Sequence, residues 1–470
     1  MLKSTRQHYH RRIATTIETE FAELVATQPE LLAHHYTEAC LTENAVPYWE
    51  GAGRRALQRY ANEEAANHAN RGLELLKTLS PRPQHAKQEL TLQILLGAAW
   101  TFVHGPHAVE DIYARACELA KEVGSTPELF PALSGFAYAQ MVRGRMLRAR
   151  ALAEEFLALA QPVQDPVVMA VGHRMLAYTA WWQGDFEAVH DHSRRGLACY
   201  DANQSRANLI GYSQDSGVVC GYLRAMSDWV LGYPTQAVEG MESTVTHARA
   251  LGAPPSIAMA ILFSAKLAQL RRDPERARAQ AEEALAISTE HGLDAVALWC
   301  LLPRGWAFAD RGDAARGITD IRDAMDRRRA LGMGAAWPWF LALAAEAYGA
   351  LGQLDDGLRS LDEAFEWIGR NDEILYAAEV HRMKGELLLR RDATDPAQAE
   401  RCFEEALALA RAQHAKSWEL RAAMSLARMW QRAGRSQEAR ALLSPVYRWF
   451  TEGFDTADLK DAEALLAQLS

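Results

Sequence analysis

Between Gly305 and Ala324 the chain reads GWAFADRGDAARGITDIRDA, with small residues at Gly305, Gly312, Gly317 and Ala324. Forty residues earlier Ala265, Ala277 and Ala284 take the first, third and fourth of these places, and forty later Ala345, Gly352, Gly357 and Ala364 take all four. Counting outward gives anchors at Gly97, Ala137, Ala177, Ala225, Ala265, Gly305, Ala345, Gly385 and Ala427, in steps of 40, 40, 48, 40, 40, 40, 40 and 42. A period of this length marks stacked supersecondary units. Seven residues after most anchors stands a turn glycine: Gly144, Gly184, Gly232, Gly312, Gly352 and Gly434. Glycine there ends one helix and turns the chain into the next.

Two helices approach closely only where their facing residues are small, and larger neighbours then interlock around the contact. Nineteen residues after the anchor come Ala116, Phe156, Gly196, Thr244, Ala284, Ala324 and Ala364, of which Thr244 fits least well. Position sixteen varies in size through Tyr113, Ala153, Ser193, Met241, Ala281, Ile321 and Leu361. This is the tetratricopeptide arrangement. Its usual period is about 34 residues, and HEAT or armadillo units run about 40–47. The constant offset of nineteen decides between them, because the extra residues then lengthen both helices away from the hairpin turn. The expected fold class is all-α: a right-handed superhelical solenoid of tetratricopeptide-like hairpins with a repeat of about 40 residues. Residues 1–60 are expected to form entry helices, 61–452 the superhelix, and 453–470 a closing helix with Asp455 or Thr456 as its N-cap.

The 470 residues include 49% hydrophobic and 24% charged side chains, as in a protein with a continuous core and a solvated outside. A net charge of -9 supplies no positive field for nucleic acid or an anionic membrane. The six cysteines stand singly, and the basic start around Lys3, Arg6, Arg11 and Arg12 has no apolar stretch behind it. A cytoplasmic location is expected.

The first helix of each hairpin is expected to line the concave side. Residues one, four and five after an anchor, and three and six before it, then look inward. Counting places Arg174, Tyr178, Trp181, Tyr222 and Trp229 in the groove, followed by Trp299, Trp306, Asp310, Trp339 and Glu346. Farther along come Glu379, Arg382, Glu386, Arg421 and Arg428. Ten of the 13 tryptophans fall in first helices. Either they fill wide gaps between long helices, or they anchor an extended peptide or helix in the groove. The 48-residue step holds its surplus within YDANQSRANLIGYSQDSG, Tyr200 to Gly217. Tyr200, Asp201, Arg206, Tyr212 and Asp215 form a second candidate site, against the alternative of a solvated loop.

Several chemistries lack their signatures. No GxxxxGK[ST], HExxH or GxSxG occurs. The histidine pairs His8/His10, His34/His35 and His190/His192 have no Cys or carboxylate at metal-site spacing, so no metal and no cofactor is expected.

STRQ at Ser4–Gln7, QPELLAHHYTEA at Gln28–Ala39, RGLELL at Arg71–Leu76, GYPTQA at Gly232–Ala237, KGELLL at Lys384–Leu389, AKSWELRAAMSLAR at Ala415–Arg428 and WFTEGFDTADL at Trp449–Leu459 carry a further likeness. Through them the chain resembles the C-terminal helical-repeat region of large bacterial signalling ATPases, many of which begin with a class III adenylate or guanylate cyclase domain. The resemblance implies a sensor arm; the ATPase and cyclase parts, and with them their activities, are absent from this sequence. The leading expectation is a non-enzymatic scaffold that binds a protein partner, such as an ATPase or cyclase, in the groove. A small-molecule effector held among the tryptophans is the alternative, and an enzyme built around Tyr200–Asp215 is the third reading.

Overall fold

The computed structural model describes residues 3–80, 82–101, 103–201, 212, 214–392, 394 and 396–469, and every regular element among them is a helix. The chain divides by packing into two compact units, Met1–Ala139 and Gln140–Ser205 with Gln214–Ser470. The first contains α1 (Lys3–Glu20), α2 (Ala22–Thr27), α3 (Pro29–Glu38), α4 (Thr42–Gln58), α5 (Asn62–Leu76), α6 (Pro83–Trp100), α7 (Pro106–Val123) and most of α8 (Thr126–Val142). Tyr113 on α7 shows why its neighbours are glycines. A Cβ at Gly97 or at Gly135 would stand 2.6 or 2.1 Å from the Tyr113 ring.

The second unit continues with α9 (Met146–Ala160), α10 (Pro166–Trp182), α11 (Phe186–Cys199), α12 (Ser216–Leu231), α13 (Pro234–Leu251), α14 (Pro254–Leu270), α15 (Pro274–Glu290) and α16 (Asp294–Asp310). After these come α17 (Ala314–Ala330), α18 (Trp337–Ala350), α19 (Leu354–Asn371), α20 (Ala377–Arg391), α21 (Ala397–Ala412), α22 (Lys416–Arg432), α23 (Ser436–Trp449) and α24 (Ala457–Gln468). Helices pack on their successors in consecutive hairpins, as a tetratricopeptide-like solenoid requires.

Local chemistry sets the boundaries. Asp165, Asp185, Asp215, Asp273 and Asp313 accept hydrogen bonds from the first free backbone N–H groups of the helices they precede. The six turn glycines all adopt left-handed backbone, with φ from 67° at Gly184 to 97° at Gly232. Arg272 holds the same place after Ala265 and is forced to φ 61°. At glycine anchors, position sixteen or its equivalent carries a large residue: a Cβ on Gly305 would meet Ile321 at 2.9 Å, and one on Gly385 would meet Phe403 at 2.5 Å. α24 closes the unit by burying Leu459, Ala462, Leu465 and Leu469. Thr456 is its N-cap residue, but the hydroxyl donates to the Gly453 carbonyl instead of receiving a helix N–H.

Successive turns of this superhelix touch. The end of one first helix meets the start of the first helix one turn later. Gly334 and Ala335 donate to the Val142 carbonyl at 2.8 and 3.0 Å, and Leu375 donates to that of Trp182 at 3.1 Å. Ser417 donates to that of Trp229 at 2.6 Å, 188 residues away. At the last rung Arg421 donates to the Leu270 carbonyl, and Arg272 pairs with Asp461 at 2.7 Å and Asp458 at 3.3 Å. The carbonyls in these contacts belong to the last turns of their helices, where C=O groups have no partner four residues on. None of the helices, among the described residues, is long and apolar enough to cross a membrane.

Candidate functional site

Because the turns touch, the inner surface of the second unit is enclosed, and its inward residues meet one another. Tyr222 donates to the Tyr178 hydroxyl at 3.1 Å, and Arg174, itself buried, donates to the Gln214 carbonyl at 2.6 Å. Trp229 is buried beneath the Arg421 guanidinium, 5.1 Å from its ring. A chain of rings runs from Trp182 through Trp299, Trp339, Tyr376, Trp418 and Phe186 to Trp181, with centroids 5.4–6.3 Å apart. Trp181, Trp339 and Trp418 are at most 1% exposed.

At the centre of this circuit lies Lys266. Its Nζ is 4.1 Å from the Trp339 ring centre, 5.2 and 5.4 Å from those of Trp181 and Trp182, and has no hydrogen-bond partner. Burial lowers its pKa to about 7, with Glu373 pulling the other way. Burial likewise raises Glu373 to about 8, while hydrogen bonds from Trp367 and the Ala336 backbone oppose the rise. Lys266 and Gln269 stand one and four residues after Ala265, the inward offsets of Tyr178 and Trp181, and are further functional residues beyond the groove set named from the sequence. Their signal is a lone charge in PPSIAMAILFSAKLAQL.

An amine buried without a hydrogen-bond partner is costly, so Lys266→Met should stabilise the protein by about 1–2 kcal/mol at pH 7. From pH 7 to 10.5 the unfolded chain holds the lysine proton and the folded one releases it, so this group's contribution to stability rises with pH. The gain from Lys266→Met should therefore shrink between pH 7 and 9.5 in urea titrations; a constant gap would refute the assignment.

Beyond the rings the inner space opens into a pocket of about 310 Å³, where Trp306, Asp310, Glu346, Glu379 and Arg382 converge with Arg272, Arg421, Arg428, Asp458 and Asp461. Glu379 is 2% exposed and receives two bonds from Arg382, at 2.8 and 3.0 Å, and one from Arg421 at 3.3 Å. Burial alone would raise its pKa; the two guanidiniums overcome that and hold it below the usual range. Ser425, also on the lining, donates to Glu386 at 2.6 Å, and Glu386 itself is not among the lining residues. Burial raises the pKa of Glu346, against the pull of Arg382, the Trp306 indole and Arg421. Glu346 is nevertheless open to solvent, because it projects into the cleft. Asp310 is raised by burial too, against Arg272 and Arg311.

The inserted segment contributes on the other side of α12. Tyr200 donates to Asp215 at 2.8 Å and lies 3.0 Å from His247 Nε2, beside a pocket of about 490 Å³ that also includes Arg224, Asp228 and Thr244. Asp215 serves at the same time as the cap of α12. Asp201 is exposed, Tyr212 is half-buried, and Arg206 lies outside the described residues. In the first unit His10 Nδ1 lies 2.8 Å from His35 Nδ1. No group of three or more His, Cys, Asp or Glu with metal-binding geometry occurs among the described residues.

No protein-family model matches the chain. It is similar to an uncharacterized protein of Rhizobium meliloti (strain 1021), 24% identical over 398 residues that make up 83% of this chain and 38% of that protein. The chain thus spans well under half the length of this relative. Among solved structures it is similar to Rap protein complexed with competence and sporulation factor, at 12% identity over 90% of this chain and 99% of that one, with a TM-score of 0.43. It is also similar to NprR in complex with its cognate peptide NprX, at 9% identity over 72% and 96% with a TM-score of 0.45, and to yeast Tom70, at 13% over 98% and 96% with a TM-score of 0.37.

Proposed function

We propose that this chain is a non-catalytic regulatory scaffold of a bacterial, cytoplasmic signalling system, and that it receives a protein partner at the charged opening of its inner channel. The observation carrying this reading is the pocket itself. Farther in, the channel is filled by the protein's own rings. Here instead the counted inward residues Trp306, Asp310 and Glu346 border open space. A pocket next to a rigid, ion-paired wall costs little to organise when a partner enters. The resemblance to signalling ATPases suggests the partner's class, an ATPase or nucleotide cyclase. The pocket's volume also lies within the range of small-molecule sites, roughly 300–1,000 Å³, which favours the effector-receptor alternative as the second reading.

Photo-crosslinking separates them. With p-benzoylphenylalanine in place of Asp310, the protein expressed in its native cell should give a discrete adduct with one other protein. The same residue in place of Glu404, exposed on the second helix α21, should not. Equal labelling from both positions, or no protein adduct from position 310, would remove the partner reading and leave the small-effector one.

A further inference from the structure

The pocket's four arginines suggest an anion site, but their partners argue otherwise. Arg382 is engaged by both oxygens of Glu379. Arg421 is shared among Glu379, Asp458 at 2.8 Å and the Leu270 carbonyl. Arg272 is held by Asp458 and Asp461. Arg428, 3.8 Å from Asp461, is 41% exposed and solvated. The lining carries five carboxylates against these four guanidiniums.

What the protein leaves open to a ligand here is acceptors. Asp310 and Glu346 are both exposed in the pocket. Asp310 has no hydrogen bond or ion pair within 4 Å among the described residues, and Glu346 has only the Trp306 indole. Gln269 is 5% exposed, and its Oε1 is a buried acceptor without a partner on the pocket wall. Tyr376, 3% exposed, offers an unpartnered hydroxyl there too. A buried acceptor left unsatisfied is costly, so Gln269 marks where a ligand's N–H belongs. Trp306, also on the lining, adds an aromatic ring of the kind that attracts a cation.

We propose that the group this pocket takes is a cation with several N–H donors, a guanidinium or primary ammonium, received by Asp310, Glu346 and Gln269. This rests on the partner-binding reading above and specifies its chemistry. The cation belongs either to a basic side chain of a polypeptide or to a free small amine.

Calorimetry with the full chain tests it, using N-acetyl-arginine amide, its uncharged isostere N-acetyl-citrulline amide, N-acetyl-glutamate amide, and an arginine-centred hexapeptide beside its citrulline counterpart. The arginine forms should bind at least about tenfold more tightly than the citrulline forms, as charge-assisted bonds require. Asp310→Asn with Glu346→Gln, both near-isosteric, should abolish that preference while leaving the melting temperature within a degree or two. Tight binding of the hexapeptide alone identifies a polypeptide source, and equal binding of the amide a free amine. Equal affinity for arginine and citrulline, preference for the glutamate probe, or no saturable binding by either arginine compound overturns the proposal. A protein adduct from position 310 would survive that failure, so the two readings fall separately.

Discussion

Glu379→Leu should destabilise the protein by about 3–5 kcal/mol at pH 7, the cost of leaving a buried ionic cluster with one partner missing. The carboxylate is 2% exposed and receives three hydrogen bonds, two from Arg382 and one from Arg421. Those side chains are themselves only 18% and 10% exposed, so neither guanidinium recovers its hydration when Glu379 is lost. Glu366→Leu provides the contrast. Its pair with Arg370 is 66% and 74% exposed and should cost no more than about 0.5 kcal/mol. Adding Arg382→Met to Glu379→Leu should recover much of the loss, since an apolar replacement of the whole pair leaves less charge buried alone.

The pH dependence has a definite sign. The folded pKa of Glu379 lies below the ordinary 4.5, so folding favours the ionised form. Its contribution is complete above the unfolded value and disappears as the pH falls through the folded one. The gap between wild type and Glu379→Leu should be constant from pH 6 to 8 and narrow below pH 4.5. A gap that widens in acid would mean the carboxylate is not ionised in the native state.

The cluster also illustrates what the sequence makes visible. Glu379 and Arg382 stand six and three residues before Gly385, so a count along the repeat puts both on the inner face, and they meet there. The turn glycines were legible for a similar reason: left-handed backbone almost demands glycine, and the residues at those places have it. The touching turns were not. Their contacts use the carbonyls of Val142, Trp182, Trp229 and Leu270, groups every residue carries, and they depend on small rotations accumulated over several repeats. With that contact hidden, offsets place Trp181 and Trp339 inward without revealing that the space between them is occupied by Lys266. The same limit applies at Arg272, which reads as an ordinary surface residue until the next turn brings Asp458 and Asp461 against it.

Gly317→Leu should cost at least about 3 kcal/mol, at the upper end of overpacking penalties, because the obstruction is backbone. Where α16 crosses α17 the anchor Gly305 faces a second glycine, Gly317. A Cβ at position 317 would lie 2.5 Å from the Gly305 carbonyl oxygen and 3.0 Å from the Ala309 nitrogen, and one at 305 would lie 2.8 Å from the Gly317 oxygen. Side chains can turn aside, whereas two helix backbones can only separate. Separation would also loosen Ile321, which packs over Gly305 and is fully buried. Gly369→Leu is the matched control. A Cβ there would meet nothing within 4 Å, so the substitution should instead gain about 0.5–1 kcal/mol from helix propensity. Urea titrations of both variants, with hydrogen exchange of α16 and α17, test the pair. Opposite signs are expected, with lost protection centred on those two helices for Gly317→Leu. If both glycines tolerate leucine equally, the close approach of α16 and α17 is not what selects glycine at the anchors, and the packing account of the 40-residue period fails with it.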